Sequence, residues 1–157
     1  MVEPKNPKAL MTLGDIAYRK KDYKTALTYY KKINIRGYDE YLADLKEAKC
    51  YQKLNNTKKA IDIYTKITKT YPYAYEAYYD LSFLIPEKKE QYLKISQSIN
   101  LKFTDGWVEL AKIKMDEKQY NLAEKYLSNI YYIDENNYRY YYYQGVLCQR
   151  KNDFEQA

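Results

Sequence analysis

Small residues return along this chain at a nearly fixed interval, and that regularity limits the folds open to it more than any other feature. Gly14, Ala48, Ser82, Ala111 and Gly145 occupy corresponding positions, separated by 34 residues except for one interval of 29. The first copy of the pattern reads Leu10, Leu13-Gly14, Ala26 and Tyr30, and the second Leu45, Ala48, Tyr51, Ala60, Tyr64 and Pro72. A later copy gives Trp107, Leu110-Ala111, Ala123 and Leu127, and the last gives Tyr141, Gly145 and Ala157. Self-similarity at this period marks stacked helical hairpins, each touching only its neighbours, rather than one closed core.

The small residues have a direct physical reading. Two antiparallel helices approach closely only where side chains shrink, so Gly14, Ala48, Ser82, Ala111 and Gly145 mark first helices while Ala26, Ala60 and Ala123 mark second ones. Apolar residues at three- and four-residue spacing, such as Leu10, Leu13, Ala17 and Ala26, Tyr30, Ile33, supply the buried stripe of each helix. Lys21-Asp22, Asn55-Asn56, Asn136-Asn137 and Asn152-Asp153 are expected between helices. With only four glycines and no sustained alternation of apolar and polar residues, nothing argues for a sheet.

These residues resemble the tetratricopeptide repeat family, whose pattern is Trp-x2-Leu-Gly-x2-Tyr, then Ala-x3-Phe, then Pro, in about 34 residues. The resemblance implies an all-α fold, an α-α superhelix of antiparallel hairpins forming one elongated domain over residues 1–157. Repeats are expected at 7–40, 41–74, 75–103, 104–137 and 138–157, the third short and the fifth incomplete. The missing residues of the third fall at its internal turn, at Ile85-Pro86-Glu87. Proline disfavours helix for the residue before it and suits a first turn, so one helix should end near Ile85 and another start at Pro86.

Both ends read as cut, the tail stopping at Ala157, where a second helix should begin. The chain is therefore expected to be a fragment of a longer array, with self-association through the uncovered last repeat. No stretch approaches the roughly 18 apolar residues of a membrane span, and no secretory signal opens the chain. Cys50 and Cys148 sit on first helices three repeats apart, and hairpins about 10 Å apart cannot bring them into disulfide reach. Two unpaired, helix-buried thiols suit a reducing compartment, and a cytoplasmic location is expected.

Tyrosine supplies 23 of the 157 residues. Tyr30, Tyr51, Tyr64 and Tyr126 fall at packing positions and are read as core, leaving a minority for a binding surface. The family resemblance implies that first helices line a concave groove, and the face turned away from the small residue gives its lining. That lining comprises Met11, Asp15 and Tyr18; Leu45, Lys49 and Gln52; Tyr79 and Phe83; Val108, Lys112 and Met115; Tyr142, Val146 and Gln149. Arg19, Lys46, Lys53, Asp116 and Arg150 flank it with charge. Mixed apolar and basic groups suit a peptide with one or two apolar anchors and some negative charge.

Other functions find little support. The Lys and Asn set that grips chaperone tails in some of these repeats is missing: Met11, Asp15, Lys46, Glu76 and Asp80 stand there instead. Residues 1–71 carry a net charge of +8 and residues 72–157 one of −2, but the lysines are scattered and several sit near helix ends, where the dipole favours them without a partner, so nucleic acid is disfavoured as a ligand. The chain has no histidine, no glycine-rich phosphate loop and no Cys-x-x-Cys pair, so no catalytic, metal or cofactor residues are assigned. Cys50, beside Lys49 and Lys53, is the one thiol whose pKa those charges would lower. The chain reads as a non-enzymatic scaffold that binds a protein or peptide in its groove. The rival reading is a structural or regulatory spacer with no ligand of its own.

Overall fold

A computed structural model describes residues 6–33 and 38–155. The chain divides into two compact units, Met1–Leu84 and Ile85–Ala157. Among the described residues every regular element is helical.

The first unit contains α1 (Pro7–Arg19), α2 (Tyr23–Tyr30), α3 (Tyr38–Lys53), α4 (Thr57–Thr70) and α5 (Tyr75–Leu84). Helix α1 starts where local chemistry dictates. Pro7 takes the first position, where its missing N–H costs nothing, and Asn6 Oδ1 accepts from the backbone N–H of Lys8 at 2.9 Å. Helix-to-helix turns use one device twice. Lys21 and Asn55 take left-handed backbone angles, with φ of 63° and 58°. The next N–H, of Asp22 or Asn56, reaches back to the carbonyl of Ala17 at 3.0 Å or Tyr51 at 2.9 Å, closing the preceding helix. Asp22 and Asn56 then cap the following helix by accepting from Thr25 N and Lys59 N.

The small residues act as that reading requires. Gly14 lies beneath the ring of Tyr30, and Ala26, Ala48 and Ala60 are fully buried. Leu10, Ala17, Ile33, Ala43 and Cys50 complete a core around Ala26 and Tyr30. The buried tyrosines stay satisfied because their hydroxyls reach a first helix: Tyr30 donates to Asp15 Oδ1 at 2.7 Å and Tyr64 to Gln52 Oε1 at 2.8 Å.

The second unit opens with a 3-10 turn at Pro86–Lys88 and continues through α6 (Lys89–Ile99), α7 (Thr104–Asp116), α8 (Tyr120–Ile133) and α9 (Tyr138–Glu155). Helix α5 ends at Leu84 and the new turn starts at Pro86, as the proline dictates. Gln97, buried, donates to Phe103 O at 3.1 Å and fills the space over Gly106, where a Cβ would meet it. Val108, Ala111, Met115, Ala123, Leu127, Ile130 and Leu147 form the core, and Trp107 stacks on Tyr126 with ring centres 5.8 Å apart. Lys118, with φ of 58°, repeats the left-handed turn between α7 and α8.

Two expectations fail. Asn152 and Asp153 lie within α9, not in a turn. The left-handed turns at Lys21, Asn55 and Lys118 are each followed by a helix packed back on the one before, and no described helix follows α9 to select such a bend. Cys148 is exposed, whereas Cys50 is buried. Helix α9 packs on α7 and α8 through Tyr140, Tyr143, Val146 and Leu147, and Cys148 is not among those residues.

Candidate functional site

In the first unit, the first helices α1, α3 and α5 carry the expected lining. Asp15 is a hub that accepts from Tyr30 and, at 2.9 Å, from Lys46 Nζ across the α1–α3 boundary. Burial alone would raise its pKa, but hydrogen bonds from Lys46 and Tyr30 outweigh that and hold it below the usual carboxylate value. Lys49 pairs with Asp80 of α5 at 3.6 Å, and Tyr41 donates to Glu76 of α5 at 2.6 Å. Charges that would face a ligand are therefore largely spent on neighbouring helices.

Asp80 differs from Asp15. One of its carboxylate oxygens is buried without a hydrogen-bond donor, and the Tyr64 hydroxyl nearby is committed to Gln52. Burial pushes its pKa up despite Lys49. Burial also pushes the Cys50 thiol up to about 12, so Lys49 and Lys53 do not make it a thiolate.

The other lining residues of this unit are dispersed. Met11 borders a recess of about 330 Å³ shared with Pro7, Lys8, Thr12, Ile33 and Leu42. Tyr18 meets Tyr23 edge to face at 5.2 Å, and Tyr79 meets Phe83 at 5.0 Å, Phe83 being exposed. Arg19 and Lys53 are exposed at helix ends. Leu45 is 4% exposed and belongs to the core instead of the lining, because an aliphatic side chain there has no polar tip to carry to water.

In the second unit the expected residues converge. Lys112, Met115, Tyr142, Val146 and Arg150 line one recess of about 230 Å³ between α7 and α9, together with Asp116 and Tyr143. Its floor is apolar. Met115, only 2% exposed, lies at its base, and Tyr142 stands at its edge with its ring 5.0 Å from Tyr143. Two cations sit on the rim. Arg150 Nη1 contacts Asp116 Oδ1 at 2.6 Å, and Lys112 Nζ contacts Glu109 Oε1 at 2.7 Å. The Lys112 pKa is raised, chiefly by that hydrogen bond to Glu109.

Val108 is withdrawn into the core with Leu147 of α9, and Gln149 is exposed outside the recess. Tyr143 is the contributor that helical spacing missed, being one position from Tyr142. The inter-helix ion pairs were missed as well, although they leave a signal: Asp15–Lys46 and Lys49–Asp80 join opposite charges 31 residues apart, close to the repeat length. Among the described residues no group of His, Cys, Asp and Glu converges to hold a metal ion. No helix among them is long and apolar enough to cross a membrane.

Two family signatures, both described as tetratricopeptide repeat, match the chain, one at residues 42–72 and the other at 7–33 and 104–137, together more than half of it. The chain belongs to the tetratricopeptide repeat family. Solved structures of similar fold include MamA, 23% identical with a TM-score of 0.69 over 93% of this chain and 82% of that one. YrrB, described as a TPR protein with an unusual peptide-binding site, is 15% identical with a TM-score of 0.62, covering 94% of this chain and 79% of its own. The first TPR of Spaghetti (RPAP3), solved with the HSP90 peptide SRMEEVD, is 18% identical with a TM-score of 0.59 over 73% and 95%. At these identities the likeness is one of fold. No protein of curated function matches in sequence.

Proposed function

We propose that this chain is a protein-interaction scaffold that holds a peptide segment of a partner in the recess between α7 and α9. One observation carries the reading: an apolar floor of Met115, Val146 and tyrosine rings lies beneath a rim that bears Lys112 and Arg150. A cavity of this kind takes one apolar side chain, and an acidic residue beside it would share the two cations with Glu109 and Asp116, which already pair with them. Solved relatives in fold include proteins described as peptide-binding, which supports an interaction role in general. The paired charges of α1, α3 and α5 favour a second reading for the first unit, that of a spacer with no ligand of its own. Two unpaired thiols suit a reducing compartment.

Selection from a displayed peptide library tests this directly. Recovered peptides should share an apolar anchor flanked by Asp or Glu, and Tyr142→Ala together with Val146→Asp should abolish their binding while the circular dichroism spectrum is unchanged. Peptides without that pattern, or binding that survives both substitutions, would remove the recess as the site.

A further inference from the structure

The two cations on the rim of the α7–α9 recess are held in different ways. Lys112 Nζ contacts Glu109 Oε1 at 2.7 Å, and Lys89 Nζ contacts the other oxygen of the same carboxylate, Oε2, at 3.1 Å. The Glu109 side chain is only 11% exposed, so each of its oxygens has one lysine and little water to take that lysine's place. Arg150 Nη1 contacts Asp116 Oδ1 at 2.6 Å, but the Asp116 side chain is 70% exposed. Turning Lys112 to a ligand would leave a nearly buried carboxylate oxygen without its donor, whereas water replaces Arg150 at Asp116 as soon as the arginine turns away. The guanidinium also carries several N–H donors in a planar fork, so it can keep Asp116 on one and offer others to a second carboxylate.

The recess has a direction. Asp116 and Arg150 are 34 residues apart and in contact, which sets α7 and α9 side by side with the repeat as their offset. Val146 therefore stands level with Lys112, and Arg150 lies one helical turn beyond it, about 6 Å along the axis. Tyr142 stands one turn to the other side of Val146. An extended peptide advances about 3.3 Å per residue, so a carboxylate about two residues from a side chain seated on Met115 and Val146 reaches Arg150. Resting on the reading of this recess as a peptide site, we propose that Arg150, and not Lys112, is the specificity-determining cation, and that it selects Asp or Glu on one side of the apolar anchor only.

The test compares the protein with its Arg150→Gln variant in selection from a displayed library of short random peptides, circular dichroism confirming the fold of each. Both should recover peptides with an apolar anchor, and only the unaltered protein should enrich Asp or Glu at about two residues to one side of it. In a peptide so recovered, replacing the acidic residue by its amide should weaken binding to the unaltered protein about fivefold and make no difference to Arg150→Gln. Asp116→Asn, which removes the competing carboxylate, should tighten binding of the acidic peptide about threefold. Anchored peptides whose acidic preference persists in Arg150→Gln, or falls equally on both sides, would overturn the inference while the recess stands as a peptide site. Weaker binding of the acidic peptide to Asp116→Asn would overturn it too. If neither protein recovers anchored peptides, the reading of the recess fails and this inference with it.

Discussion

The ring of Tyr30 lies so close over Gly14 that a Cβ at that position would collide with it. Both residues are buried, one on each helix of the first hairpin, so neither has room to give. Gly14→Ala gains helix propensity yet forces the ring aside, and a net loss of about 1–3 kcal/mol is expected in urea unfolding. A gain in stability would mean that the ring moves freely.

Tyr30→Phe keeps the ring and removes the hydroxyl from Asp15, which retains Lys46. Loss of a hydrogen bond to a charged acceptor should cost about 1.5–3 kcal/mol in the same measurement. An unchanged midpoint would show that water replaces the hydroxyl.

Asp15 and Asp80 give opposite pH dependence. The Asp15 pKa is lowered on folding, so its contribution is present at neutral pH and fades as pH falls through its folded value. The Asp80 pKa is raised by burial, so the native state binds the proton more tightly, and this group makes stability decline as pH rises from the ordinary value of 3.8 through the raised one. Asp80→Asn should remove that declining component. Urea midpoints of both proteins, taken at half-unit steps upward from pH 4, decide it: parallel curves would absolve Asp80.

Lys118 holds a left-handed angle that costs an L-residue roughly 1–2 kcal/mol, and glycine normally takes this place after a helix. Lys118→Gly should raise stability by about 1 kcal/mol, partly offset by glycine's freedom in the unfolded chain. A lower melting temperature would count against the assigned backbone.

The two thiols should separate cleanly. Cys148 is exposed and should react with maleimide in the native protein, while Cys50, buried with its thiol pushed up to about 12, should react only on unfolding. Equal rates at pH 7 would contradict this assignment.

The repeat architecture was legible because close helix contact needs small residues, and Gly14, Ala48 and Ala111 announce it at the repeat interval. Core tyrosines were legible for the same reason: Tyr30 and Tyr64 stand four residues after Ala26 and Ala60. Helical spacing alone could not tell Met11, at a recess edge, from Leu45 and Val108, which share its register but are buried. Nor could the asparagine at 152 reveal that α9 runs on, because a turn residue bends the chain only where a following helix rewards the bend. The ion pairs were hidden because spacing identifies a face and not what stands opposite it.

Nearly identical hairpins carry a hazard that a single core does not: a helix from one copy can settle on the wrong neighbour. The ion pairs between first helices act against such exchange. Asp15 and Lys49 occupy one repeat position, and their partners Lys46 and Asp80 occupy another, so the order of the charges is reversed from one boundary to the next. Helix α5 set against α1 would bring Asp80 to Asp15, like charge to like, which gives a chain built from copies a way to assemble in one order.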